Sequence, residues 1–190
     1  MQRLLSSFLI ALAMALTANS SLADSYSDAI ESFRSADETA KFFAVSYGYA
    51  VFPTIGKGGI GLGGAHGKGR VYAGGNHIGD SSMTQVTIGF QLGGQAFSQI
   101  IFFEDARALK EFTSGNFEFS AQATAVAITA GVSAEANTGG GATAGASGGS
   151  NNANMAHGGF RKGMAIFTVA KGGLMYEAAL GGQKYTYSAK

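Results

Sequence analysis

The hydrophobic positions change period along the chain, and each change predicts an element. Tyr26, Ala29, Ile30, Phe33, Ala36, Ala40, Phe43, Ala44 and Tyr47 recur at three- and four-residue spacing, which predicts helix from Asp24 to about Ser46. Ser35 and Glu38 stand at capping-box spacing, so the helix is expected to kink there and restart. From Tyr49 the period falls to two. "YAVFP" reads as a short strand with Pro53 at its end or on an edge. Thr84 to Gly93 alternates, with Val86, Ile88, Phe90 and Leu92 on one side and Gln85, Thr87 and Gln91 on the other. Gly93-Gly94 offers a turn into "QAFSQIIFFE", whose Ile100–Phe103 run reads as buried on both faces.

"DARALKEFTSG" then predicts a short helix, with Asp105 as N-cap, Leu109 and Phe112 inward and Gly115 just past the end. "NFEFSAQATAVA" alternates again, and residues 137–159, rich in Gly, Ala, Ser and Asn, read as a mobile loop. The pattern predicts an α+β, β-rich single domain. Its sheet is antiparallel, barrel-like or a sandwich, with two N-terminal helices and one short internal helix.

The stretch "TIGKGGIGLGGAHGKGRVY" raises the possibility of a phosphate-cradling loop. Gly56, Gly58 and Gly61 match G-x-G-x-x-G, but the glycine-rich sequence that follows is a poor helix former, and the dinucleotide motif needs a helix there. The P-loop pattern fails because Gly67-Lys68 is followed by Gly69 and position 62 is leucine. An internal echo offers a structural reading instead. Ala50-Val51-Phe52 followed by Lys57-Gly58-Gly59 resembles Ala165-Ile166-Phe167 followed by Lys171-Gly172-Gly173. Gly58, Gly59, Gly172 and Gly173 are therefore expected to be turn glycines between returning strands, some with positive φ.

Composition narrows the function. Residues 1–23 combine Arg3, an apolar run from about Leu4 to Ala18 and Ser21-Leu22-Ala23, which predicts a secretory signal cleaved after Ala23. The protein is then exported, periplasmic or secreted, with residues 24–190 as one domain. Of 13 Lys and Arg, removing Arg3 leaves 12 against 12 Asp and Glu, so the mature chain has no net field to recruit nucleic acid. There is no cysteine, hence no disulfide and no thiolate nucleophile or ligand. His66, His77 and His157 lack metal-ligand spacing and read as exposed loop histidines. No G-x-S-x-G elbow is present. The chain is read as a non-enzyme without metal, nucleotide or other cofactor.

The remaining candidates are basic. Lys57, Lys68 and Arg70 lie in one acid-free stretch, and Arg161, Lys162 and Lys171 surround the second Lys-Gly-Gly. Each cation beside an anionic membrane surface contributes about 1 kcal/mol, so six on one face would offer about 6 kcal/mol and three only about half of that. Anionic lipid binding through these residues thus depends on the two basic segments facing the same way.

The blocks "YAVFPTIGKGG", "GAHGKGRVY", "FTSGNFEFSAQA" and "GGLMYEAALGGQKYTY" occur in the order and spacing of SYLF domains. The chain resembles that family from roughly Thr39 to Tyr187. The resemblance implies a β-rich fold with flanking helices and a non-enzymatic lipid-binding module. Eukaryotic members bind phosphoinositides and belong to actin-regulating endocytic proteins; similar bacterial members are exported. The chain departs from the eukaryotic pattern at its N-terminus, where a predicted signal and an acidic helix replace a basic amphipathic helix. The implied partner is an anionic phospholipid or membrane surface, with the named headgroup left open. An outer-membrane β-barrel and a structural or adhesive envelope module are the alternatives.

Overall fold

The computed structural model describes residues 25–89, 95–119, 126–128, 159–171 and 182–190. Helix α1 (25–34) and helix α2 (Asp37–Val45) precede strands β1 (Gly48–Ala73), β2 (Asn76–Gly89) and β3 (Gln95–Phe103). Helix α3 (Ala106–Phe112) and strands β4 (Phe117–Glu118), β5 (Val126–Ile128), β6 (Met164–Lys171) and β7 (Gln183–Ala189) follow. The seven strands form one sheet in the order β4-β7-β2-β1-β3-β6-β5, antiparallel except for β5 beside β6. The sheet curls into a half-barrel, and the predicted α+β, β-rich class is the class observed.

β1 explains the curl. Its first half pairs with β3 through residues 48–57 and its second half with β2 through residues 61–73. A β-carbon added at Gly48 would meet Tyr72 and Ala73, one at Gly69 would meet the Phe52 ring, and one at Gly67 would meet Ile55. The two halves therefore pack face to face, and the strand doubles over near residue 60. Strands that bend and hand their pairing from one side to the other make such corners. Pro53 sits inside β1 at the bulge between Phe52 and Ile55, where a missing N–H is tolerated, rather than at a strand end. Ser98 Oγ donates to its carbonyl at 2.7 Å.

The expected turn at Lys57-Gly58-Gly59 is not there. The segment is extended strand, and Gly58 has no positive φ. The corner is made within a continuous strand, and the hairpin comes later, at Gly74 (φ 55°) and Gly75 (φ 80°) between β1 and β2. Gly172 and Gly173, most of the 137–159 loop, His157 and the Gly93-Gly94 turn lie outside the described residues. The echoed tripeptides flank β3 with a one-residue offset: Ala50 and Ile166 both pair with Ile101, and Val51 and Phe167 both pair with Ile100.

Two apolar layers hold the sheet. The inner one joins Phe52, Ile55, Met83, Ile101, Phe103, Leu109, Phe112, Met164 and Tyr185; the outer one joins Phe33 and Phe42 of the N-terminal helices to Val51, Ile100, Phe102 and Phe167. Burial of Ile100–Phe103 on both faces is as the sequence predicts. The N-terminal helix breaks at residues 35–36 as expected, but the capping box does not form. Ser35 Oγ donates to the Ser32 carbonyl, Ala36 is the N-cap of α2, and Thr39 Oγ1 donates to the carbonyls of Phe33 and Ala36. The break resets the helical phase, so Thr39 and Phe42 are buried in α2 while Ala40 and Ala44 are exposed. α3 follows its prediction: Asp105 accepts from the Ala108 N–H at 2.8 Å, and Leu109 and Phe112 are buried.

Candidate functional site

Lys57 and Lys171 stand at the same end of the sheet. Gly56 and Lys171 both pair with Ala96, and Lys57 pairs with Gln95, so the lysine α-carbons are two strands apart, about 10 Å. Lys57 follows Ile55 in the alternation of β1 and lies half-buried beside the interior. Lys171 continues the series of Phe167 and Val169 on the opposite side of the sheet, is exposed, and its Nζ donates to Thr54 Oγ1 at 3.0 Å. Only an approach along the strand axis, onto the sheet's end, presents both ammonium groups to one surface.

The other four cations stand elsewhere. Lys68 and Arg70 occupy even-numbered positions of β1, turned outward opposite the inward Gly67, Gly69 and Val71. Arg70 is already engaged: its guanidinium lies 4.2 Å from the Tyr26 ring of α1, and Asp80 is its register partner on β2. Burial raises the Tyr26 hydroxyl above its ordinary pKa, and the nearby guanidinium partly offsets that rise. Arg161 and Lys162 form a tight turn before β6, with Arg161 and Met164 exchanging backbone hydrogen bonds of 2.9 and 3.0 Å. They are at the far end of β6 from Lys171, about 23 Å away at 3.3 Å per residue. The six cations therefore do not share one face, and the coplanar sum of about 6 kcal/mol does not apply.

Sequence reasoning missed two participants. Lys184 projects from the same outward face as Lys68, with its Nζ 3.5 Å from Glu118. Its alternation with Tyr185 and Thr186 was a local signal for that orientation. Tyr26 beneath Arg70 had none, because the two are joined only through the docking of α1. His66 and His77 are on strands rather than loops; His77 Nε2 lies 3.1 Å from Asp80 Oδ1. Among the described residues, no group of three or more His, Cys, Asp and Glu is placed to hold a metal ion.

The interior has its own polar network. Gln85 is buried while Val86 is 66% exposed, the reverse of what alternating hydrophobicity suggests. Gln183 Nε2 donates to Gln85 Oε1 at 3.4 Å, and Gln183 Oε1 accepts from Gln99 Nε2 at 3.3 Å and from the Tyr185 hydroxyl at 2.5 Å. These contacts cross the half-barrel from β2 and β7 to β3 and satisfy polar groups that would otherwise be costly to bury. Among the described residues, the interior combines aromatic side chains with these glutamines, and the outward β1-β2-β7 face bears Lys68, Arg70, Asp80 and Lys184. Among the described residues no helix is long and apolar enough to cross a membrane. The chain matches no protein-family model and no curated protein.

Proposed function

We propose that the protein is a non-enzymatic, exported envelope protein of SYLF type that binds anionic phospholipid surfaces end-on, through Lys57 and Lys171. One observation carries the reading: strand register puts Lys57 and Lys171 at the same end of the sheet, two strands apart. The magnitude sets what to expect. Two cations beside an anionic surface contribute about 2 kcal/mol, roughly thirtyfold partitioning. Binding is accordingly weak and salt-sensitive.

Co-sedimentation with vesicles of phosphatidylglycerol and phosphatidylcholine tests the proposal. The mature protein is expected to bind the mixed vesicles and not pure phosphatidylcholine. Lys57→Gln and Lys171→Gln each weaken binding about fivefold. Neutralising Arg161 and Lys162 together leaves it unchanged, because they stand at the opposite end of β6. Binding that ignores both lysine substitutions, or that is equal on neutral vesicles, overturns the reading.

A further inference from the structure

The outward face of β1, β2 and β7 has a chemistry the lipid reading does not use. Register aligns its side chains in rows across the strands. Lys68, Ser82 and Thr186 make one row; His66, Thr84 and Lys184 make the next, extended by Glu118 of β4; Arg70, Asp80 and Ser188 make a third. His66, Lys68, Thr84, Lys184 and Thr186 are exposed and Ser82 is half-buried. The hydroxyls are already aligned, with Ser82 Oγ 2.7 Å from Thr186 Oγ1 and Thr84 Oγ1 3.3 Å from His66 Nδ1. Among the described residues, the sheet positions in the core under α1 and α2 come from β1, β3 and β6; on this face α1 reaches the third row, where Tyr26 packs on Arg70, while the Lys68 and Lys184 rows stay exposed.

We propose that this face binds an anionic polysaccharide, a sugar chain carrying carboxylate or phosphate groups at intervals. Lys68 and Lys184 stand diagonally, two strands and one row apart, about 12 Å between α-carbons. Widely spaced cations match charges repeated along a polymer better than one compact anion. Between them lie hydroxyls that both donate and accept, the pairing that sugar hydroxyls require. The Lys184–Glu118 contact is between exposed groups and is weak, so it yields to a ligand carboxylate. Arg70, Lys68 and Lys184 against Asp80 and Glu118 leave a surplus of one positive charge, too small to hold the dense charge of a nucleic acid.

Affinity electrophoresis through gels containing hyaluronan, which has a carboxylate on alternate sugars, tests the proposal, with neutral dextran as the control. Hyaluronan is expected to retard the protein and dextran is not. Lys68→Gln and Lys184→Gln each weaken retardation about fivefold, and Glu118→Gln strengthens it. Thr84→Val with Thr186→Val weakens it with no change of charge, a result that electrostatic attraction alone does not give. Lys57→Gln and Lys171→Gln leave it unchanged, which separates this site from the lipid-binding end whatever the vesicle result. Thermal melting confirms that each variant is folded. No retardation by hyaluronan, equal retardation by dextran, or retardation indifferent to Lys68→Gln and Lys184→Gln overturns the inference.

Discussion

A β-carbon at Gly69 would lie 2.5 Å from the Phe52 ring, and one at Gly67 would lie 2.6 Å from Ile55 and 2.9 Å from the Thr54 carbonyl. Phe52 is fully buried and packed edge-on against Tyr185, so it has nowhere to move. At Gly58 and Gly56 there is open space and an ordinary φ. Gly69→Ala is therefore expected to destabilise the fold by about 1–3 kcal/mol, as overpacking does. Gly58→Ala leaves stability unchanged or raises it by up to about 1 kcal/mol by restricting the unfolded chain. Urea denaturation of both variants checks the pair; equal losses would mean that the corner near residue 60 needs glycine for its backbone. The sequence indicates that glycines here are architectural, but it singles out Gly58, which is open, rather than Gly67 and Gly69, which are close-packed. Two close-packing glycines and two open ones look alike along the chain, because what separates them is a side chain from the other half of β1.

At the level of elements, local signals are legible in the sequence and the helical phase beyond a break is not. The cap of α3 was legible because Asp105 acts on a backbone N–H three residues away. β3 was legible because its apolar run needs both layers. In the N-terminal helices the stripe holds through Ala36 and then slips within α2, burying Phe42 more deeply than Phe43 and exposing Ala40 and Ala44. Phe42 lies between Phe102, Phe160 and Phe167, with ring centroids at 5.4, 5.3 and 5.0 Å. Phe42→Ala is expected to cost about 3–5 kcal/mol, whereas Ala44→Ser on the exposed side of α2 costs less than about 1. Comparable losses from the two, measured by thermal unfolding, would show that the helix pair is only loosely docked on the sheet.

The whole molecule depends on contacts that no stretch of sequence announces. Alternation indicated a barrel-like or sandwich sheet, but glutamines at 85, 99 and 183 gave no sign that they would meet inside it. They meet at Gln183, whose Oε1 also accepts from the hydroxyl of Tyr185, a residue only 1% exposed. Burial raises the ionisation of Tyr185 above its ordinary value near 10. The folded state therefore holds the phenolic proton more tightly than the unfolded chain. Its contribution is fully present below the ordinary tyrosine range and is lost as pH rises from about 10 toward the higher folded value. In that window the parent should lose about 1.4 kcal/mol per pH unit from this group alone. Tyr185→Phe leaves Gln183 short of a donor and is expected to cost about 1–3 kcal/mol at neutral pH. The same substitution removes one proton from the alkaline slope, so the gap between parent and variant narrows above pH 10. Tyr26 and Tyr49, also raised by burial, contribute to the slope of both proteins equally and cancel in the comparison. Unfolding free energies at pH 7, 10 and 11 decide the matter. A gap of constant size across that range would mean that the Tyr185 hydroxyl ionises as freely in the folded protein as in the unfolded chain, and that the half-barrel is open to water at its centre.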